Sequence, residues 1–97
     1  GVLEQNIKER FFKREGAAIS FVDPDGAAAK AGLRGMMKDN AGRIYVGDII
    51  SAIEGVKINN KDDIFHELEK YKIGDTIKVQ YFRDNKKKTT QIKLKEL

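Results

Sequence analysis

The clearest structural signals of this chain lie between Gly16 and Gly55, in the segment GAAISFVDPDGAAAKAGLRGMMKDNAGRIYVGDIISAIEG. The segment predicts a strand, a tight turn, a one-turn helix, an insertion and a second strand, in that order. The first strand is Gly16–Val22, which is short, apolar and partly β-branched or aromatic. The second is the apolar run Ile49–Ile53, which follows a Gly-Asp pair and ends at a glycine.

Between these strands, Asp23-Pro24-Asp25-Gly26 is a dense turn signal. Proline presets φ, aspartate side chains bond nearby backbone amides, and glycine accepts a positive φ. The alanines that follow predict a short helix over Ala27–Ala31, with Asp25 as its N-cap and Gly32 at the C′ position. Leu33 is then expected to fold back onto the core.

This order of elements resembles the PDZ domain, in the permuted bacterial form that HtrA/Deg serine proteases carry. The resemblance rests on an AxxAGL segment, a GRI insertion end, a GDII turn and strand, and an NG-type turn, found here as Asp25–Leu33, Gly42-Arg43-Ile44, Gly47–Ile50 and Ile53-Glu54-Gly55. It covers nearly the whole chain and implies one PDZ domain over residues 1–97, as a piece of a larger protein. The implied fold is α+β but mainly β: a small, partly open barrel of five to six strands, capped by two or three helices.

The part of the chain after Gly55 adds a helix and a hairpin. Asn60 as N-cap and Asp63 three residues later predict a helix over Lys61–Lys72. Its core-facing stripe is Ile64, Leu68 and Tyr71, with Phe65 at the edge of that stripe. Alternating apolar residues then predict strands over Thr76–Phe82 and Thr89–Leu94, joined by a polar turn. A further short helix is predicted for Asn6–Lys13, and a hairpin tip for Asp39–Gly42 inside the insertion.

Composition limits the classes of function that the chain can have. The 97 residues are 40% hydrophobic and 35% charged, which fits one globular domain. The net charge of +4, from 19 basic and 15 acidic residues, is interpreted as a mild excess spread along the chain, and no nucleic-acid binding is predicted. The absence of cysteine excludes disulfides and thiolate metal sites. No apolar run is long enough to span a membrane.

Catalytic and metal chemistry find no support in the sequence. Ser20 and Ser51 lie inside predicted strands, and His66 falls on the polar side of the predicted helix. A hydrolytic triad needs a nucleophile, a base and a carboxylate that converge, and no such motif is present. The chain is therefore not expected to be an enzyme, and no cofactor is predicted. Lys86–Lys88 is interpreted as a solvated hairpin tip, with a weak contact to an acidic surface as the alternative.

Peptide binding is what the resemblance implies. In the family, a loop of the form aromatic-aliphatic-Gly-aliphatic holds a peptide's terminal carboxylate, and Gly1-Val2 match its last two positions. The resemblance implies that Gly1, Val2 and Leu3 form one wall of a groove and that Ile64, Phe65 and Leu68 form the other. Two interpretations of Phe65 stay open: it lines the groove, or it belongs to the core.

The expected function is a peptide-binding module of an HtrA/Deg-like serine endopeptidase. It would recognise hydrophobic C-terminal or unfolded segments by β-augmentation, for substrate delivery or protease activation. The partners implied are such segments and the protease domain of the same protein, and the family places the protein in an extracytoplasmic compartment such as the periplasm. The alternative is a PDZ module of another protease class, of the site-2 or C-terminal-processing type, or of a secretion scaffold.

Overall fold

The computed structural model describes residues 16–95. The predictions for Gly1, Val2 and Leu3 and for the helix Asn6–Lys13 therefore lie outside the described residues. Within the described part, the elements are the strands β1 (Ala17–Ala18), β2 (Met37–Lys38), β3 (Ile44–Tyr45), β4 (Ile49–Ile53), β5 (Val56–Lys57), β6 (Thr76–Arg83) and β7 (Lys86–Lys93), and the helices α1 (Ala27–Lys30) and α2 (Lys61–Leu68).

Five of these strands form one antiparallel sheet in the order β1-β4-β6-β7, with β5 paired to β4. Strands β2 and β3 form a separate two-stranded hairpin inside the predicted insertion. The mainly β fold with two helices is confirmed, and in the described residues the strands form open sheets rather than a closed barrel.

The core lies against one face of the sheet, where the predicted alternation in β6 holds. Ile77, Val79 and Tyr81 are all buried, and α1, α2 and Leu33 cover them together with residues of β4 and β7. The β6–β7 hairpin closes over Asp84 and Asn85, whose φ angles of 52° and 64° are both positive. A two-residue turn of this kind matches the right-handed twist of its strands, and aspartate and asparagine tolerate that conformation.

The first predicted strand is shorter than expected, because only Ala17 and Ala18 pair with β4. The following carbonyls of Ile19 and Ser20 instead accept from the amide of Met36, so the chain leaves the regular ladder. A side chain at Gly47 would lie 2.3 Å from the Ile19 carbonyl oxygen, which explains why a residue without Cβ stands there.

The N-cap prediction for α1 was wrong. Gly26 holds the N-cap position with no side-chain hydrogen bond, because the chain enters the helix one residue later than predicted, after a turn in which the Asp25 amide donates to the Asp23 carboxylate. The other end follows prediction: Gly32 has a φ of 89°, and its amide donates to the Ala29 carbonyl. This pattern is a Schellman ending, which favours glycine.

Helix α2 ends at Leu68, four residues before the predicted end. The amide of Lys70 donates to the carbonyl of Glu67 and that of Tyr71 to Leu68, so the last turn tightens to i,i+3 bonds. The amide of Lys72 then donates to the Asp75 carboxylate, 2.8 Å away, and the chain turns toward β6.

Candidate peptide-binding site

The start of α2 is fixed by side chains. The Asn60 side-chain oxygen accepts from the Asp63 amide at 3.0 Å, which confirms Asn60 as the N-cap. The Asp63 carboxylate accepts in return from the Asn59 amide at 2.8 Å, one residue earlier than a standard capping box. Asp62 and Asp63 also place negative charge at the helix end where the dipole favours it. The orientation of the following turn, which carries Phe65, is therefore well determined.

The three predicted helix residues of the site divide into two groups. Ile64 and Leu68 are partly buried against the core, whereas Phe65 is 56% exposed. Phe65 is thus not a core residue. Of the two open interpretations, the one that places it in the core is excluded, and the one that places it in a groove stays a prediction. The ammonium nitrogen of Lys61 lies 5.9 Å from the centroid of the Phe65 ring, within the range of a cation–π contact. Sequence reasoning missed Lys61, although the i,i+4 spacing was visible.

The sheet strand that α2 packs beside is β1. In the described residues, β1 pairs with β4 on one side, and the helix lies next to it. The structure therefore places Ile64, Phe65 and Leu68 on a helix that borders a short strand, and their role as one wall of a groove stays a prediction. The other predicted wall, Gly1, Val2 and Leu3, lies outside the described part of the chain.

A buried carboxylate lies on the same helix. Glu67 is 3% exposed, and its two oxygens accept from the Lys70 ammonium at 2.8 Å and from the Tyr71 hydroxyl at 3.2 Å. The hydrogen bond from Lys70 lowers the pKa of Glu67, and burial opposes this shift. The sequence analysis gave Glu67 no role. Its partners follow it by three and four residues, the spacing at which side chains on one face of a helix are neighbours. The arrangement ties the end of α2 to the turn that follows.

Ser51 and His66, which were considered for catalysis, lie on different elements. The Ser51 hydroxyl, on β4, donates to the Gln80 carbonyl at 3.2 Å. His66 is exposed on α2, as the sequence predicted for a surface residue. Among residues 16–95, no group of three or more histidine or carboxylate side chains is placed to hold a metal ion. Neither described helix has the length and apolar composition of a membrane span.

Comparison with known proteins agrees with this geometry. Residues 3–94 match the PDZ domain family. Curated relatives include Protease Do-like 1, chloroplastic, of Arabidopsis thaliana, 34% identical over 81% of this chain and 18% of that protein. Serine protease Do-like HtrA of Lactobacillus helveticus is 30% identical over 84% of this chain and 17% of that protein.

The chain therefore corresponds to less than a fifth of each of these relatives. Among solved structures, the solution structure of GtR34C from Geobacillus thermodenitrificans superposes with a TM-score of 0.59 at 29% identity, over 86% of this chain and 82% of that one. The family match over almost the whole chain, together with the mainly β fold and its bordering helix, shows that this chain belongs to the PDZ domain family and is homologous to the PDZ domains of HtrA/Deg-type serine proteases.

Proposed function

We propose that this chain binds the apolar C-terminal end of a peptide or unfolded protein between the segment Gly1-Val2-Leu3 and α2. The observation that carries the proposal is the exposed ring of Phe65 on a rigidly capped helix beside a strand of only two residues. A large exposed apolar side chain next to a sheet strand suits a peptide that pairs as an added strand and inserts a side chain against the helix.

The binding energy would come from two sources. Backbone amides of the loop that includes Gly1 and Val2 would donate to the peptide's terminal carboxylate, at about 1.5–3 kcal/mol net for each hydrogen bond to a charged group. The terminal side chain would pack against Phe65, with Ile64 and Leu68 behind it and Leu3 opposite. Burying one such aliphatic side chain contributes about 1.5–3 kcal/mol. Because backbone contacts dominate along the rest of the peptide, selectivity would concentrate at its last residue.

We further propose that the larger protein is a serine endopeptidase in which this domain delivers substrate to the protease domain or relays activation to it. The support is that the curated relatives described above are serine proteases of the Do-like class. A periplasmic or other extracytoplasmic location is proposed on the same basis, since a probable periplasmic serine protease of Haemophilus influenzae is 35% identical over 84% of this chain.

Nuclear magnetic resonance titration tests the binding proposal. A peptide that ends in valine should shift the amide signals of Val2, Leu3 and Phe65. The same peptide with an amidated C-terminus is the matched control and should bind much more weakly, because it lacks the carboxylate. Equal binding of the two peptides, or unchanged spectra at millimolar peptide, would contradict the proposal.

A further inference from the structure

The excess of positive charge, which the sequence analysis interpreted as spread along the chain, lies mainly between residues 76 and 95. Residues 76–95 carry seven basic side chains and the single acidic residue Asp84, whereas residues 16–75 carry eight basic and ten acidic side chains. The seven are Lys78, Arg83, Lys86, Lys87, Lys88, Lys93 and Lys95. The β6–β7 hairpin and its continuation therefore carry most of the excess positive charge, which favours an anionic partner.

A groove lies where the end of this cationic hairpin meets helix α1. Its volume is about 290 Å³, and its lining residues are Ala27, Lys30, Ala31, Gln91, Lys93, Leu94 and Lys95. We call it the α1–β7 groove. Its apolar base is made of the partly buried Ala27, Ala31 and Leu94, which also pack against the core. Its lysines are exposed, and the Lys95 ammonium donates to the Asp25 carbonyl across one end.

The dimensions and chemistry of the groove restrict its occupant. Pockets for drug-sized molecules begin at about 300 Å³, so this groove suits one or two side chains of a longer ligand. The base accepts an aliphatic group, and the surrounding ammonium groups favour carboxylates on either side of it. Among the residues that line the groove there is no aromatic ring on which a nucleic-acid base could stack. The single arginine of the hairpin, Arg83, already pairs with Asp48, so lysines supply the free positive charge near the groove.

We propose that the α1–β7 groove is a second binding site, for an internal acidic segment of a polypeptide that places one aliphatic side chain on Ala27, Ala31 and Leu94. Carboxylates on both sides of that side chain contact Lys30 and Lys93. The site uses neither β1 nor α2, so it does not depend on the function proposed above. A segment bound here needs no free C-terminus, which separates its ligands from those of the first site.

The test uses a fluorescent peptide that is acetylated and amidated, with one leucine flanked on each side by glutamates. Fluorescence anisotropy should report saturable binding that weakens by about tenfold or more between 50 and 300 mM salt, because exposed charges are screened within about 10 Å at 0.1 M. The amide signals of Ala31 and Lys93 should shift, and that of Phe65 should not. The peptide with glutamines in place of glutamates should not bind measurably.

The variant Lys30→Glu/Lys93→Glu should lose at least tenfold in affinity for this peptide, because two attractions become repulsions. The matched control is Lys38→Glu/Lys72→Glu, which changes net charge equally at exposed positions away from the groove. Circular dichroism confirms that both variants are folded. Equal loss in the two variants, binding of the glutamine peptide, or binding to phosphatidylglycerol vesicles without binding to the peptide would each overturn the proposal.

Discussion

Arg83 forms a bidentate ion pair with the carboxylate of Asp48. Its Nε donates to Oδ1 at 2.8 Å and a terminal nitrogen donates to Oδ2 at 2.8 Å, while the same nitrogen reaches the Gly32 carbonyl at 2.7 Å. The Arg34 amide also donates to Oδ2 at 2.8 Å. Asp48 is 2% exposed, and its hydrogen bonds raise the pKa of Arg83. This ion pair therefore joins the start of β4, the end of α1 and the β6–β7 hairpin.

Arg83→Met should destabilise the domain by about 3 kcal/mol or more, because it leaves the buried Asp48 carboxylate without its charged partner. Urea unfolding measures the change. Lys86→Met is the control, since it removes a charge of the same sign from an exposed position across the same turn and should change stability by less than about 0.5 kcal/mol. Similar stabilities of the two variants would mean that the ion pair contributes little.

Phe65→Ala should weaken binding of a peptide with an apolar C-terminus by about tenfold, because the terminal side chain loses its exposed aromatic partner. Since Phe65 is 56% exposed, its removal should leave the free energy of unfolding nearly unchanged. Ile73→Ala removes another exposed apolar side chain, 66% exposed and outside α2, and should not affect affinity. Isothermal titration calorimetry gives both affinities, and unaltered binding by Phe65→Ala would argue against a role of the helix.

Asn60→Ala should destabilise the domain by about 1 kcal/mol, because the Asp63 amide loses its side-chain acceptor at the helix start. Hydrogen exchange of that amide should become faster. Asn59→Ala is a close control, because Asn59 contributes its backbone amide to the Asp63 carboxylate and keeps that amide after the substitution. Equal exchange rates in the two variants would show that the cap contributes nothing.

Glu67→Gln should change how stability depends on pH. In the folded state the pKa of Glu67 lies below the ordinary glutamate value, chiefly because Lys70 donates a hydrogen bond to its carboxylate. A carboxyl group with a lowered folded-state pKa stabilises the fold above its unfolded pKa, and this contribution is lost as pH falls through the folded value.

The wild-type chain should therefore lose more stability between pH 7 and pH 3 than Glu67→Gln does, as measured by urea unfolding at both values. Glu69→Gln removes an exposed carboxylate from the same end of the helix and should retain the acid sensitivity of the wild type. An identical pH dependence in wild type and Glu67→Gln would rule out this contribution.

The local elements were predictable because their signals are local. The alternation in β6, the apolar run of β4, the Asn60 cap and the Gly32 helix ending each depend on residues within one turn or strand. The one cap that was wrong lies where two turn residues precede the helix. Asp23 forms a turn with the Asp25 amide, the helix begins after Gly26, and the cap expected from Asp25 did not form.

Contacts between residues that are far apart in the sequence could not be predicted in this way. Asp48 and Arg83 are 35 residues apart, and no sequence periodicity connects them. The concentration of charge beside α1 also depends on the packing of β7, which is distant from α1 in the chain. For the proposed peptide site, the sequence predicted which helix bears Phe65, whereas the exposure of Phe65 depends on how α2 is oriented against the core.

The long stretch of sequence between β1 and its partner β4 bears on the order in which the domain folds. Arg83 meets Lys86 across a two-residue turn, whereas Ala17 meets Ile50 only after closing a loop of about 30 residues, which carries a greater entropic cost. We expect the hairpin to nucleate early and β1 to dock late. By the same reasoning β1 should open most readily in the native state. A peptide bound against α2, which packs beside β1, should then slow that opening.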